Sequence, residues 1–266
     1  MTIQQIMDEV DRDRWGRPLI EPIGGGKPIA YTRVSTLAKS LDKQEALTKW
    51  KQRMTAIGMS QRPDLLALVQ ATRDDDRKTL DDACEQALAA ARSQAAANTG
   101  TALHAFCERI DQGVPVDEIV ASDTIKADLQ AYTHATRWMK MLAAETFIVQ
   151  DDIKCAGTFD RLVQIDGRVY VADIKTGQHE PNYPHGVTVQ TAIYAHGTGY
   201  RPGKGRTAKL ADIGVDQARG VLIHLPAGQA RCDLYWLDIA AGWEMAQIAT
   251  RVRAWHNTKP IEKIGE

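Results

Sequence analysis

The pattern of apolar and polar positions divides the chain into a helical first half and a mixed second half. Residues 1–35 contain Gly24, Gly25 and Gly26 in a row and no sustained period, so they are predicted to be mostly loop. Apolar positions at helical spacing and strong helix formers then predict a series of helices. These are Thr36–Ile57, Leu65–Gln70, Lys78–Ala97, Thr101–Asp111 and Asp117–Ala144, with an interruption at Asn98-Thr99-Gly100.

Beyond Ala144 the pattern changes to short apolar runs that are typical of strands. Strands are predicted over Glu145–Ile153, Gly157–Ile165, Arg168–Ile174, Ala218–Leu225 and Cys232–Leu237. Helices are predicted over His185–Gly197 and Ala240–His256. This succession predicts an α/β fold in which helices flank a mixed central sheet.

Asp166 and Gly167 join two of these strands, and this residue pair is typical of a tight hairpin turn. If the pair forms the centre of the turn, facing residues have numbers that sum to 333, and Asp160 faces Asp173. Because side chains alternate along a strand, Asp160, Asp173 and Lys175 share one face of the sheet.

Two carboxylates that face each other across a hairpin repel by about 3 kcal/mol at an effective dielectric of about 20. A hard divalent cation such as Mg²⁺ would offset this repulsion. The alternative is a solvated sheet edge at which Lys175 serves as the counter-charge. The apolar neighbours favour a buried hairpin; they are Phe159, Leu162, Val171 and Ile174.

The overall charge excludes a partner that is held mainly by bulk positive charge. The 266 residues include 33 basic and 34 acidic side chains, which give a net charge of -1. A local basic groove remains compatible with this balance. No apolar run approaches the roughly 18 residues that cross a bilayer, and the first residues are too polar for a signal peptide. We therefore expect a cytoplasmic protein without a membrane partner.

Four short motifs resemble those of the PD-(D/E)XK nucleases, and the RecB-like exonuclease branch of bacteria and their phages fits them best. Gly157-Thr158-Phe159-Asp160 and Asp173-Ile174-Lys175-Thr176-Gly177 resemble the GxxD and DxKTG elements of that family. Upstream, Gly100-Thr101-Ala102-Leu103-His104 resembles its GxxxH element. Downstream, Gln190-Thr191-Ala192-Ile193-Tyr194 resembles its QxxxY element, and the four occur in the family's order.

The resemblance implies a restriction-endonuclease-like αβββαβ core over residues 98–266, closed by the C-terminal helix. Residues 1–97 would form an N-terminal loop and helical extension. The implied activity is metal-dependent exonucleolytic hydrolysis of DNA phosphodiesters in recombination, repair or phage DNA processing. DNA would be the partner, together with a recombination or single-strand-binding protein, and the chain could form a homo-oligomer. If the protein is phage-encoded, it would act in the host cytoplasm.

The same resemblance assigns roles to individual residues. His104, Asp160, Asp173 and the backbone carbonyl of Ile174 would bind Mg²⁺ or Mn²⁺. Lys175 would orient or polarise the attacking water, so Lys175, Asp160 and Asp173 form the catalytic set. A histidine ligand favours Mn²⁺, because imidazole suits transition metals better than Mg²⁺.

Further candidates lie around these motifs. Glu108 shares a helix face with His104 and either fixes its imidazole or is a solvated surface residue. Glu145 could assist the metal site, although a glutamate at a strand edge is the commoner arrangement. Gln190 and Tyr194 border the active site in the family, and ordinary helix packing is the alternative for Tyr194. A Gly- and Pro-containing loop carries four candidate DNA contacts, which are Arg201, Lys204, Arg206 and Lys209.

The four cysteines do not predict a cluster. Some RecB-like relatives hold an iron–sulfur cluster with one cysteine before the nuclease core and three near the C-terminus. Here only Cys232 lies beyond the core motifs, so no iron–sulfur cluster is expected.

Two other functions compete with the exonuclease: a catalytically silent DNA-binding or assembly subunit with the same fold, and a zinc hydrolase built on His104 and Glu108. The latter lacks a second histidine at a suitable spacing.

Overall fold

The computed structural model describes residues 10–41, 44–93, 97–182, 184–261 and 264. The helices in these ranges are α1 (Val34–Ala38), α2 (Gln44–Gln61), α3 (Pro63–Ala71), α4 (Arg77–Ser93), α5 (Ala97–Asp111), α6 (Asp123–Thr136), α7 (His185–Ala195) and α8 (Ile239–His256). The strands are β1 (Leu19–Ile20), β2 (Ile29–Ala30), β3 (Thr32–Arg33), β4 (Lys140–Gln150), β5 (Cys155–Ile165), β6 (Arg168–Lys175), β7 (Thr198–Arg201), β8 (Gly205–Lys209), β9 (Arg219–His224) and β10 (Asp233–Asp238). Short 3-10 turns lie at Lys39–Leu41, Val116–Glu118 and Ala211–Ile213.

A mixed eight-stranded sheet forms the centre of the described fold. Its strand order is β10-β9-β6-β5-β4-β7-β8, and β3 pairs with β5 beside this path. The β6–β9 and β3–β5 pairs are parallel, whereas the others are antiparallel. The order α6-β4-β5-β6-α7-β9 gives the αβββαβ core, so the predicted fold class is confirmed.

Apolar residues cover both faces of this sheet. On one face, α7 and α8 pack against the central strands through residues such as Leu162, Val171 and Ile193. On the other face, Ile20 and Tyr31 from the N-terminal segment join a cluster with Phe147, Val149, Ala156 and Tyr200. The N-terminal segment, predicted as mostly loop, therefore contributes to the core of the sheet.

The described chain forms two compact units. One comprises Met1–Asp42 and Cys107–Glu266, and the other comprises Lys43–Phe106. The described residues 10–41 belong with the sheet through the β3–β5 pair and the apolar contacts of Ile20, and the predicted boundary between residues 97 and 98 stays a prediction. In the second unit, α2 packs closely on α4. A Cβ added at Gly58 would lie 1.8 Å from the Ala87 carbonyl oxygen.

The predicted helix over Asp117–Ala144 is wrong in its last third. Helix α6 ends at Thr136, and the chain enters β4 at Lys140. Met141 pairs there with Val163, so strand pairing overrides the helical preference of this Ala- and Leu-containing run. The helix also begins later than predicted, at Asp123, where the Ser122 side chain caps the amide of Ile125.

Two smaller helix predictions also need correction. The single helix predicted over Thr36–Ile57 is divided, because α1 ends at Ala38 and α2 begins at Gln44; residues 42–43 lie outside the described residues. The predicted interruption at residues 98–100 is absent, since these residues lie in the first turn of α5, where residues of low helix propensity cost little. None of the helices in the described ranges has both the length and the apolarity needed to span a membrane.

Candidate active site

The hairpin of β5 and β6 places Asp160 and Asp173 side by side. Five backbone pairs, from Ile165↔Arg168 to Arg161↔Ala172, follow the predicted register. The ladder stops one pair short of Asp160 and Asp173, because the Ile174 amide donates to Asp160 Oδ2 at 2.8 Å. The Asp160 carboxylate thus replaces a strand partner and lies against the backbone of the second acidic strand.

Asp173 is almost fully buried, with 2% of its surface exposed. The ammonium of Lys175 lies 2.6 Å from its Oδ2, and the Gln190 amide donates to its Oδ1 at 3.1 Å. Gln190 lies on α7, one turn before Tyr194, and also reaches the Tyr194 hydroxyl at 3.5 Å. Burial raises the pKa of Asp173, the Asp160 carboxylate adds to the rise, and Lys175 opposes it. The predicted DxK and QxxxY residues therefore meet at one carboxylate.

Glu145, for which the sequence analysis favoured a strand-edge position over a part in the metal site, lies close to Asp160. It lies in the interior of β4, not at the start of a strand, and its backbone has a φ of 44°. One of its carboxylate oxygens lies within 4.8 Å of a carboxylate oxygen of Asp160. Burial raises the pKa of Glu145 to about 7, and Asp160 adds to this rise. A single polar residue before an apolar strand is too common a pattern to have distinguished a site residue from a strand-edge glutamate.

Arg161 is a buried cation that links several of these acids. Its guanidinium forms an ion pair with Asp111 and lies 3.6 Å from Glu145 Oε1. It also donates to the backbone carbonyl of Asp160 at 2.7 Å. The Tyr132 hydroxyl donates to Asp111 at 2.8 Å. Since a buried charge needs a partner, this network holds the backbone of Asp160 in place.

Helix α5 carries two predicted site residues. Glu108 is half-buried, burial raises its pKa, and its charge also contributes to the raised pKa of Glu145. Gln112 donates to the Glu108 carboxylate at 2.8 Å. His104 lies one turn earlier on the same helix, within the residue range of the second unit. Its role as a metal ligand stays a prediction.

The segment after Lys175 is fixed by the neighbouring strand β9. Leu225 donates its amide to the Lys175 carbonyl at 2.8 Å, and Ala227 donates to the Thr176 carbonyl at 3.2 Å. The Nε2–H of His224 donates to the Gly177 carbonyl at 2.8 Å. Thr176 and Gly177 are therefore held in the turn that leaves the candidate catalytic strand.

His224 also lies in a second polar group with Glu180 and Asp233. The Arg231 guanidinium contacts both carboxylates, at 2.5 Å and 3.2 Å. Because an arginine already supplies the positive charge there, we interpret this group as an ion-pair network.

The four cations predicted to contact DNA lie in and around a strand hairpin, not in an irregular loop. Arg201 ends β7, Lys204 lies in the turn, and Arg206 and Lys209 lie in β8. Arg201, Lys204 and Lys209 are exposed. Arg206 is engaged, because it forms an ion pair with Asp151 and donates to a backbone carbonyl at 2.6 Å. Contact with DNA at these positions stays a prediction.

The cysteines are free thiols. Burial raises the pKa of Cys155 to about 12 and of Cys232 to about 12, and it raises the pKa of Cys107 still further. High pKa values keep these sulfurs protonated in the metal-free protein. The predicted absence of an iron–sulfur cluster stays a prediction.

The donor set suits a hard divalent cation. Asp160, Asp173 and Glu145 supply carboxylate oxygens, which are the ligands that Mg²⁺ and Mn²⁺ prefer. Burial, with a smaller contribution from the Asp160 carboxylate, raises the pKa values of Glu145 and Asp173, so the ionised carboxylates are incompletely balanced in this site. A divalent cation would relieve that imbalance, so the residues fit such a metal.

Comparisons with known proteins agree with this geometry. A sequence model of the PD-(D/E)XK nuclease superfamily matches residues 64–221, which is more than half of the chain and includes all four motifs. No curated protein matches the chain significantly. Among solved structures, one described as "Crystal structure of SSO0001" aligns over 79% of this chain and 87% of its own, with 12% identity and a TM-score of 0.29. At that TM-score the alignment adds nothing to the assignment. On the strength of the family match, the chain belongs to the PD-(D/E)XK nuclease superfamily.

Proposed function

We propose that this protein is a divalent-metal-dependent deoxyribonuclease of the RecB-like branch, acting as an exonuclease on linear DNA. The observation that carries the proposal is the convergence of Glu145, Asp160 and Asp173 with Lys175 from three neighbouring strands, β4, β5 and β6. Superfamily membership already implies a metal-dependent nuclease. The intact set of acids and lysine supports a working catalyst over a silent subunit.

The metal ligands in this proposal are Asp160, Asp173, the Ile174 carbonyl and His104, with Glu145 as a further acid beside them. A bound Mg²⁺ or Mn²⁺ would lower the pKa of a water ligand and stabilise charge that develops on the scissile phosphate. The protein prepares this site by keeping Asp160 fixed on the Ile174 amide. It keeps Asp173 fixed through Lys175 and Gln190.

In this proposal Lys175 acts on the attacking water. Its side chain is 41% exposed, whereas its partner Asp173 is 3% exposed. Lys175 is therefore accessible from solvent, whereas the carboxylate that its ammonium contacts is buried. The ammonium would orient the nucleophile by hydrogen bonding and balance negative charge in the transition state.

The same proposal gives the surrounding residues supporting roles. Gln190 fixes the orientation of the Asp173 carboxylate, and Tyr194 packs edge-on against Phe159 at 6.2 Å between ring centroids. Glu108 adds negative charge near Glu145. The exposed cations Arg201, Lys204 and Lys209 would contact the DNA backbone, while Arg206 mainly stabilises the hairpin through Asp151.

The cellular role that we propose is DNA recombination, repair or phage DNA processing in the cytoplasm. DNA is the substrate in this proposal. A recombination protein or a single-strand-binding protein would supply or protect the processed strand.

The experiment compares end-labelled linear single- and double-stranded DNA with covalently closed circular DNA, in Mg²⁺, Mn²⁺ or EDTA. An exonuclease releases short products from linear DNA and leaves the circles intact. Nicked circles would instead indicate an endonuclease. An Asp160→Asn variant should lose cleavage, whereas the matched Asp212→Asn variant, which changes an exposed aspartate, should retain it. DNA binding without cleavage in any metal would favour the silent subunit.

A further inference from the structure

A rigid turn near the N-terminus carries aromatic and basic side chains that the proposed active site does not use. Asp13 organises this turn: its amide donates to the Arg17 carbonyl at 3.0 Å, and its carbonyl accepts from Gly16 at 2.9 Å. Its carboxylate accepts from the amides of Trp15 and Arg17 at 3.0 Å and 2.9 Å. Gly16 has a φ of 73°, a value that favours glycine. The turn is therefore held in one conformation by its own hydrogen bonds.

The turn presents Trp15 to solvent. The Trp15 side chain is 59% exposed. Burial of an indole would remove a large apolar area from water, so this exposure leaves that area uncovered. The Arg14 guanidinium lies 4.0 Å from the ring centroid, and the Arg17 guanidinium lies 4.9 Å from it. Both distances are within the range of cation–π contacts. An aromatic ring and two cations thus form one exposed surface on a fixed backbone.

Among the residues that the structure describes, the charge around this ring is net positive. Arg12, Arg14 and Arg33 are exposed, and the Arg33 guanidinium lies beside Gly16, 3.8 Å from where a Cβ would be. Arg17 is paired with Asp13, which keeps the pKa of that carboxyl below its usual value despite partial desolvation. The four arginines therefore carry more positive charge than Asp11 and Asp13 balance. We name the surface formed by residues 12–17 and Arg33 the Trp15 surface.

The Trp15 surface is connected directly to the strand that carries Asp160. Arg33 lies in β3, which pairs in parallel with β5 so that Arg33 is opposite Ala156. Asp160 is four residues further along the same strand, or about 13 Å at about 3.3 Å per residue. A nucleic acid strand that reaches the acidic site can therefore pass close to this surface.

We propose that the Trp15 surface binds single-stranded DNA, with a base stacked on the indole ring and the arginines on the flanking phosphates. The proposal rests on the proposed nuclease function and specifies the strand that is bound. Stacking on an exposed aromatic ring requires an unpaired base, because the bases of a duplex already stack on each other. Arginine forms bidentate contacts with phosphate oxygens, and Arg14 is placed to move from the ring to a phosphate when a base takes its place.

The test measures the Kd for a fluorescein-labelled oligothymidylate and for a blunt duplex by fluorescence anisotropy in EDTA, without cleavage. Trp15→Ala should raise the Kd for the single strand about tenfold, within the range for loss of one stacked base. Trp15→Phe, which keeps a ring, should stay within about threefold of wild type. The matched control is Trp255→Ala, which removes a tryptophan with 61% exposure and should leave the Kd unchanged.

Retention of wild-type single-strand affinity by Trp15→Ala would overturn the inference, as would an equal loss for the duplex. Circular dichroism melting identifies any variant that fails to fold; if Trp15→Ala does so, Trp15→Leu, which keeps an apolar side chain without an aromatic ring, takes its place with the same expected loss. Because the assay omits metal, its result is independent of cleavage. Loss of binding in Trp15→Ala by a protein that never cleaves DNA would overturn the proposed nuclease function and support this surface. Wild-type affinity of Trp15→Ala, together with DNA cleavage by the wild-type protein, would overturn the role of this surface and support the proposed nuclease function.

Discussion

Replacing Glu145 by glutamine should stabilise the metal-free protein at alkaline pH. Burial, with Asp160 nearby, raises the pKa of this carboxyl from 4.5 to about 7. In the unfolded chain the carboxyl ionises near its ordinary value, so between about pH 4.5 and 7 the folded state binds more protons. The free energy of unfolding of the wild type therefore falls as pH rises through this window. Glutamine cannot ionise and removes this contribution.

The expected destabilisation by the ionised Glu145 carboxylate follows from the difference between its folded and unfolded pKa values. Each pKa unit corresponds to about 1.4 kcal/mol, so the destabilisation above pH 7 is at most about 3.5 kcal/mol. For a protein of this size, 1 kcal/mol changes the Tm by about 2–4 °C. In EDTA at pH 8, Glu145→Gln should therefore melt several degrees above wild type, and at pH 5 the difference should nearly vanish.

Thermal unfolding by circular dichroism between pH 5 and 8 measures this effect. Glu244→Gln, which changes an exposed glutamate on α8, is the matched control and should follow the wild type at every pH. Adding Mn²⁺ should raise the Tm of wild type more than that of Glu145→Gln, since the metal would bind beside the ionised carboxylate. A Glu145→Gln variant that is no more stable than wild type at pH 8 would refute the reasoning.

Three further predictions concern catalysis and packing. Lys175→Ala should slow DNA cleavage about 100-fold or more in a gel assay while the variant stays folded, because it removes a charge from the transition state; equal loss in the control Lys259→Ala, which changes an exposed lysine, would contradict this role. Asp128→Ala should lower the free energy of unfolding, measured in urea, by about 2–4 kcal/mol. This fully buried carboxylate accepts hydrogen bonds from two backbone amides at 2.7 Å and 2.8 Å. A loss below about 0.5 kcal/mol would contradict this prediction. Gly58→Ala should destabilise the protein in the same urea assay by about 1–3 kcal/mol, because its Cβ would overlap the Ala87 carbonyl; unchanged stability would show that α2 and α4 separate without cost.

The hairpin was predictable because its signals are local. The Asp166-Gly167 turn fixes the register, and the register alone places Leu162 opposite Val171 as observed. The local pattern could not predict where the backbone pairing between β5 and β6 ends. Asp160 takes the Ile174 amide as a hydrogen-bond partner, which depends on where the two strands diverge.

Other features depend on contacts between distant parts of the chain. Residues 140–144 have helical composition but pair with β5, so only the tertiary structure makes them a strand. Ile20 and Tyr31 are buried by β4 and β7 although their own segment has no period. Glu145 joins Asp160 through a positive φ within β4, and no sequence periodicity encodes such a conformation.

The most direct test of the central claim is calorimetric titration of Mn²⁺ into the wild-type protein and into the Asp160→Asn and Asp173→Asn variants. We expect saturable binding to the wild type, and loss of that binding in both variants while they remain folded. Equal binding by all three proteins would show that these two carboxylates do not form the metal site.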